Sequence, residues 1–161
     1  MNYTHKLVAT TRFNSKTYEE NENYRLRICP SGSIYGTPMK MADKIPLESL
    51  VYVIEMNNST NKIEGIGIIY NRPVLNRRHR IYDDMDYNRY IYKGKKRISI
   101  MDITDDYNKQ VIVVLEQLLF KGASHCKRAQ GITALPDWIV HNRFGFNFTE
   151  CISKLCDMYD R

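Results

Sequence analysis

Leu50-Val51-Tyr52-Val53-Ile54-Glu55-Met56, then the turn residues Asn57 to Asn61, then Ile63-Glu64-Gly65-Ile66-Gly67-Ile68-Ile69-Tyr70: this stretch decides how the chain folds. Both runs are rich in β-branched and aromatic residues, and the Asn, Ser and Thr cluster between them is turn chemistry, so a β-hairpin is predicted. Gly65 and Gly67 stand at alternate positions and strip one face of the second strand of side chains. That suits a bulge, a tight bend or the close approach of another backbone, and a small barrel is the expectation.

Toward the amino end, Lys6 to Arg12 forms a further strand. Tyr24 to Cys29 sets Tyr24, Leu26 and Ile28 against Arg25 and Arg27 at a period of two, which predicts another strand with one apolar and one basic face. Between them Asn14 to Asn23 is polar and acidic, hence a loop or a short exposed helix. Pro30 to Ser33 is a turn, and Ile45 to Ser49 has the form of one helical turn with proline near its start. Toward the carboxyl end, Arg89 to Tyr92 and Ile98 to Ile103 are short extended pieces. Thr104 is placed to cap a helix through its hydroxyl, with Asp105 and Asp106 at the positive end of the helix dipole. That helix runs to about Phe120, carries Val111, Val114, Leu115, Leu118 and Leu119 as its apolar stripe, and stops at Gly122. A last helix starts at Asn147, with Glu150 reaching back and Phe148, Ile152, Leu155 and Tyr159 at helical spacing. The fold class expected is α+β: one domain over residues 1–161, with a barrel core over about 3–98 and a helical part over about 104–160.

A chain of 161 residues, 43% hydrophobic and 26% charged, has the size and composition of one globular core, which argues against disorder or a fibrous repeat. Its first residues hold no apolar run of signal-peptide or membrane-spanning length, so the expectation is an intracellular protein, cytoplasmic or nuclear, with no membrane partner. Cys29, Cys126, Cys151 and Cys156 are then read as reduced thiols. The formal net charge is +6. From Tyr70 to Ile98 there are nine cationic residues against Asp83, Asp84 and Asp86, so this stretch alone carries the net charge of the whole chain.

Two segments carry the candidate chemistry. Arg72 to Arg80 is dense in arginine, and Arg72, Arg77, Arg78 and Arg80, followed by Lys95 and Lys96, have the planar forks and ammonium groups that hold phosphate. The alternative is a solvated loop balanced by the three aspartates. Lys121 to Gly131 places Lys121, Lys127 and Arg128 beside hydroxyl, imidazole and amide groups on a glycine-bounded loop, able to bind phosphate or simply to neutralise a helix end. Tyr52, Tyr82, Tyr90, Tyr92 and Trp138 are candidates for stacking on unpaired bases, although a tyrosine on a strand commonly belongs to the sheet. The spacing of Cys151 and Cys156 does not put both thiols on one helix face, His125 and Cys126 lack a Cys-x-x-Cys pair, and no Glu or Lys joins the aspartates at an informative spacing. No catalytic residue, metal or cofactor is assigned.

The order of these elements, with Ser49-Leu50-Val51-Tyr52-Val53-Ile54 preceding Glu64-Gly65-Ile66-Gly67-Ile68-Ile69, resembles the PUA-like superfamily of small barrels that includes EVE, ASCH and YTH domains. The resemblance covers about residues 3–98. It implies binding of RNA, or of modified bases in RNA or DNA, in a cleft on the barrel. A methyl-base cage of the YTH kind needs several tryptophans, whereas Trp138 is the sole one and lies outside the matched region. Residues 118–133 resemble a stretch in proteins of large double-stranded DNA viruses of eukaryotes. The functional expectation is therefore a non-catalytic module binding nucleic acid, RNA or DNA, through a basic groove. The alternative is a viral structural or interaction protein, a virion component with viral or host protein partners.

Overall fold

The computed structural model describes residues 5–160. Its elements are β1 (Lys6–Phe13), α1 (Ser15–Ile28), β2 (Ser33–Thr37), β3 (Leu50–Asn57), β4 (Lys62–Tyr70), β5 (Tyr90–Gly94), β6 (Lys96–Ser99), α2 (Asp106–Phe120), β7 (Thr133–Ala134), α3 (Asp137–Val140) and α4 (Phe148–Tyr159). The predicted hairpin is β3–β4. It lies at the centre of a five-stranded sheet of order β6-β4-β3-β1-β7, in which β1 runs parallel to β3 and the other pairs are antiparallel. Buried along almost its whole length, β3 has the apolar continuity of a strand covered on both faces. A separate ribbon pairs β2 with β5.

The strands do not close on themselves through hydrogen bonds, so the expected barrel is an open sheet with a ribbon laid across it. Two apolar cores result. On one face Tyr52, Ile54, Met56, Ile66 and Ile98 pack against Val111, Leu115 and Leu119 of α2 and against Phe148, Ile152 and Leu155 of α4. On the other, Val51, Val53 and Ile69 pack under Tyr24 of α1 and Ile34, Tyr35, Ile91 and Tyr92 of the ribbon. The molecule is a mixed α and β fold of three layers.

Gly65 and Gly67 make this layering possible. A methyl group on Gly67 would overlap the Tyr35 ring, and one on Gly65 would overlap the Arg97 guanidinium. The cleared space holds a buried ion pair: Arg97 Nη2 donates to Glu55 Oε1 at 2.6 Å and Arg97 Nε to Oε2 at 2.9 Å, while the Tyr35 hydroxyl donates to Glu55 Oε2 at 2.5 Å. Burial works against the Arg97 charge, but the hydrogen bond and charge of Glu55 outweigh it and hold the guanidinium above its usual value. Burial and then the Glu55 charge hold the Tyr35 phenol well above the usual tyrosine range.

Four local expectations are corrected. Tyr24 to Cys29 is not a strand: it continues the helix that was one of the two readings of Asn14 to Asn23, and together they supply α1, opened by a capping box in which Asn14 and Thr17 exchange hydrogen bonds. The residues that α1 buries are Asn21, Tyr24 and Arg25, a helical spacing, while Leu26 points into solvent. Ile45 to Ser49 is irregular turn rather than helix, with Glu48 at a φ of 68°. Of Ile98 to Ile103, the extended part ends at Ser99 and Ile100–Asp102 forms a 3-10 turn. Asp105, not Thr104, caps α2, because its carboxylate accepts both the Asn108 N–H and the Tyr159 hydroxyl.

Candidate functional site

The route of the chain from ribbon to sheet builds the site. β5 and β6 are separated only by Lys95, and there the chain leaves β2 to pair with β4. Gly94 passes so close to the Ile68 carbonyl that a Cβ has no room, and Gly32 sits as tightly against the Gly94 carbonyl. This crossing sets Lys93, Lys95 and Lys96 around one point at the Leu50 end of the hairpin. Parallel pairing brings Lys6 opposite Leu50, and Arg72 follows directly from the end of β4.

Lys6, Arg72, Lys93, Lys95 and Lys96 thus line one cleft of about 630 Å³ with Tyr70, which is 48% exposed, on its wall. Asp157 and Asp160 at the end of α4 line the same cleft. Arg72 is engaged by Glu48 through Nε at 2.9 Å, and Lys96 is paired with Asp160. Both pairs lie at the surface, where solvent screens an ion pair and it exchanges readily. Lys6, Lys93 and Lys95 have no acidic partner within ion-pair distance among the described residues. Tyr52 lies in the floor with its hydroxyl 3.1 Å from Ser153 Oγ. Cys156 borders the cleft too, but burial, then Asp157 and Asp160, push its thiol up to about 12, so it is a packing group rather than a nucleophile.

The arginine loop adjoins this cleft. Arg77, Arg78 and Arg80 are exposed and free of ion pairs among the described residues. His79 between them is buried, with Nδ1 2.6 Å from the Tyr24 hydroxyl. Burial first, then the charges of Arg77 and Lys93, lower its pKa. The same imidazole therefore feels a charge of the loop and one of β5 together.

The second basic loop lies elsewhere. Lys127 Nζ donates to Asn61 Oδ1 at 2.7 Å, Asn58 Nδ2 donates to the Lys127 carbonyl at 2.9 Å, and Lys121 borders Thr60, Asn61 and Lys62. These are the turn residues of the hairpin, at the opposite end of β3 from the cleft, roughly 23 Å away at the usual rise of a strand. Lys121, Lys127 and Arg128 accordingly do not share a groove with Arg72 to Arg80, and the single groove joining both loops is corrected to one basic cleft plus a distant loop. That loop is held by Arg12, whose guanidinium donates to the carbonyls of Cys126 at 3.1 Å and Gly131 at 2.8 Å. Burial brings the Arg12 pKa down to about 10.

The stacking candidates divide as sharply. Tyr52, Tyr82 and Tyr92 are buried, the hydroxyl of Tyr82 accepting from Asn21 and that of Tyr92 from the Met41 N–H, so these rings are core rather than platforms. Tyr90 is half-buried beneath Lys40. Trp138 is exposed on α3 and does not line the cleft. Tyr70, Lys6 and Lys93 escaped the sequence-based site. The alternation of β4 places Tyr70 two residues past Ile68 on one face, but Lys6 joins the cleft only through a parallel pairing that no local pattern announces.

Asp84 caps a 3-10 turn over Met85–Asn88, which accounts for the acidic cluster. Among the described residues no group of three or more His, Cys, Asp or Glu side chains converges, and no helix is long and apolar enough to cross a membrane. The buried Glu55–Arg97 pair is saturated by its own partners and closed to solvent. No family model, curated protein or solved structure matches the chain.

Proposed function

We propose that this protein is a non-catalytic nucleic-acid-binding module whose cleft holds the phosphodiester backbone of a strand. The observation that carries the reading is the convergence of Lys6, Lys93 and Lys95, unpaired among the described residues, with Arg72 and Lys96 on one concave surface beside the exposed Tyr70 ring. Cations gathered from three separate segments, with only labile acidic partners, suit a ligand that brings its own negative charge at regular intervals. Tyr70 supplies the π-face on which an unpaired base stacks, so the ligand is a single strand, RNA or DNA. The PUA-like kinship belongs to the same proposal. Its support is the run of β5 and β6, which pairs first with the ribbon and then with the sheet.

Filter binding to single-stranded RNA and DNA tests this. Five neutralised phosphates give a slope of log K against log salt of about −3.5 for a single strand. Absence of salt-sensitive retention at low ionic strength sinks the reading. A second reading, a virion or other assembly component, has one observation in its favour: Trp138, Val140 and Phe144 are large apolar residues exposed close together in sequence. Sedimentation separates the two, because concentration-dependent oligomers without nucleic-acid affinity support assembly.

A further inference from the structure

Beyond the cleft, the arginine loop folds over a pocket of its own. This pocket, of about 330 Å³, is lined by Arg77, Arg78, His79, Asn88 and Arg89 together with an apolar rim that includes Val74 and Ile91. Both of its sides are fixed. The Val74 N–H donates to the Ile91 carbonyl at 2.7 Å, and Asn88 Oδ1 accepts from the N–H groups of Ile81 and Tyr82 at 3.0 and 2.9 Å. Three guanidiniums line it, and the carboxylate in contact with them is Asp86, 3.6 Å from Arg89 in a pair exposed to solvent on both sides.

His79 adds an imidazole to the lining of the pocket. Its side chain is 4% exposed, and Nδ1 is occupied by the Tyr24 hydroxyl. When Tyr24 donates to Nδ1, the proton of the neutral imidazole resides on Nε2, for which no hydrogen bond to the described residues is seen. The backbone N–H groups of residues 75–80 likewise find no acceptor among the described residues. A surface pocket lined by three guanidiniums and an imidazole matches a dianion with several equivalent oxygens. A phosphodiester inside a strand carries a single charge and must leave such a site in two directions; a phosphomonoester carries nearly two and leaves in one.

We propose that this pocket receives the terminal phosphate of the strand whose backbone lies along the neighbouring cleft. The inference rests on the nucleic-acid reading, and the pocket and the cleft are separable by experiment. Oligonucleotides of one sequence bearing a 5′-phosphate, a 3′-phosphate or no terminal phosphate are compared by filter binding. In parallel, inorganic phosphate is titrated at constant ionic strength while the His79 ring nitrogens are followed by NMR. One phosphorylated end is expected to bind about tenfold tighter than the unphosphorylated strand, the worth of one charge-assisted hydrogen bond. Inorganic phosphate should abolish that difference and move the Nε2 resonance. The exposed double substitution Arg77→Ala/Arg78→Ala should also remove the difference, and His79→Gln should reduce it while the fold, checked by circular dichroism, persists. Equal retention of all three oligonucleotides overturns the terminal-phosphate site and leaves the cleft reading intact. If none is retained, the cleft reading fails and the strand-end assignment fails with it, even where inorganic phosphate alone still moves the His79 resonance.

Discussion

Gly67 has the Tyr35 ring where a side chain would stand, and its backbone belongs to the strand that flanks the central β3. Gly67→Ala is expected to destabilise the fold by about 1–3 kcal/mol, because neither the strand nor the ring can retreat without disturbing Glu55. Urea unfolding measures this, and a smaller penalty for the same change in a Tyr35→Ala background identifies the ring as the obstacle. Arg97→Met leaves Glu55 buried without its cation, and a loss of about 3–5 kcal/mol is expected by the same assay. His79 acts through protons. The fold holds its pKa below 6.5, so the folded protein binds fewer protons there than the unfolded chain. Stability therefore falls as pH drops from 6.5 through the lowered value, and melting temperatures between pH 5 and pH 7.5 should show this slope flattened in His79→Gln. The alternate glycines announced a close approach in the sequence alone. The approaching groups were not legible, since Tyr35 and Arg97 lie some thirty residues away on either side and meet them only across layers.

At the level of elements, the hairpin, the last two long helices and β1 were readable because each has an apolar period longer than a single turn. The stretch from Tyr24 to Cys29 was not: six residues of alternating character fit either period, and the buried stem of Arg25 counts as polar in any pattern. The decisive signal for α1 was instead its start, Asn14 and Thr17, where side chain and backbone satisfy each other. Asn14→Ala is expected to lower stability by about 1 kcal/mol, and Asp105→Ala is expected to lower it as well, since Asp105 caps α2 and also holds Tyr159. Thermal melts followed by circular dichroism would show both. The β2·β5 ribbon was only half visible, because β2 is a short strand around Gly36 that gains its identity from pairing with β5.

For the molecule as a whole, the concentration of charge between Tyr70 and Ile98 was evident from composition, and the structure gathers Arg72, Lys93, Lys95 and Lys96 of it around one cleft. Its partition was not evident, because β3 keeps the Lys121 to Arg128 loop and the cleft at opposite ends. Charge reversal distinguishes the two regions. Lys93→Glu/Lys95→Glu is expected to weaken strand binding at least tenfold and to flatten its salt slope, whereas Lys121→Glu/Arg128→Glu changes affinity less than threefold, as filter binding across a salt series would register. The sheet order carries one more implication, for synthesis on the ribosome. β1 is made before β3 and β7 yet sits between them, and Thr133 and Ala134 of β7 are translated long after it. A nascent chain can lay down the hairpin and dock β1 beside it, but the outer rim of β1 at Ala9 and Thr10 stays unpaired until β7 has emerged. Newly made copies on one messenger therefore share a transient sticky border, and slow translation after residue 100 is the circumstance in which neighbouring chains would join along it.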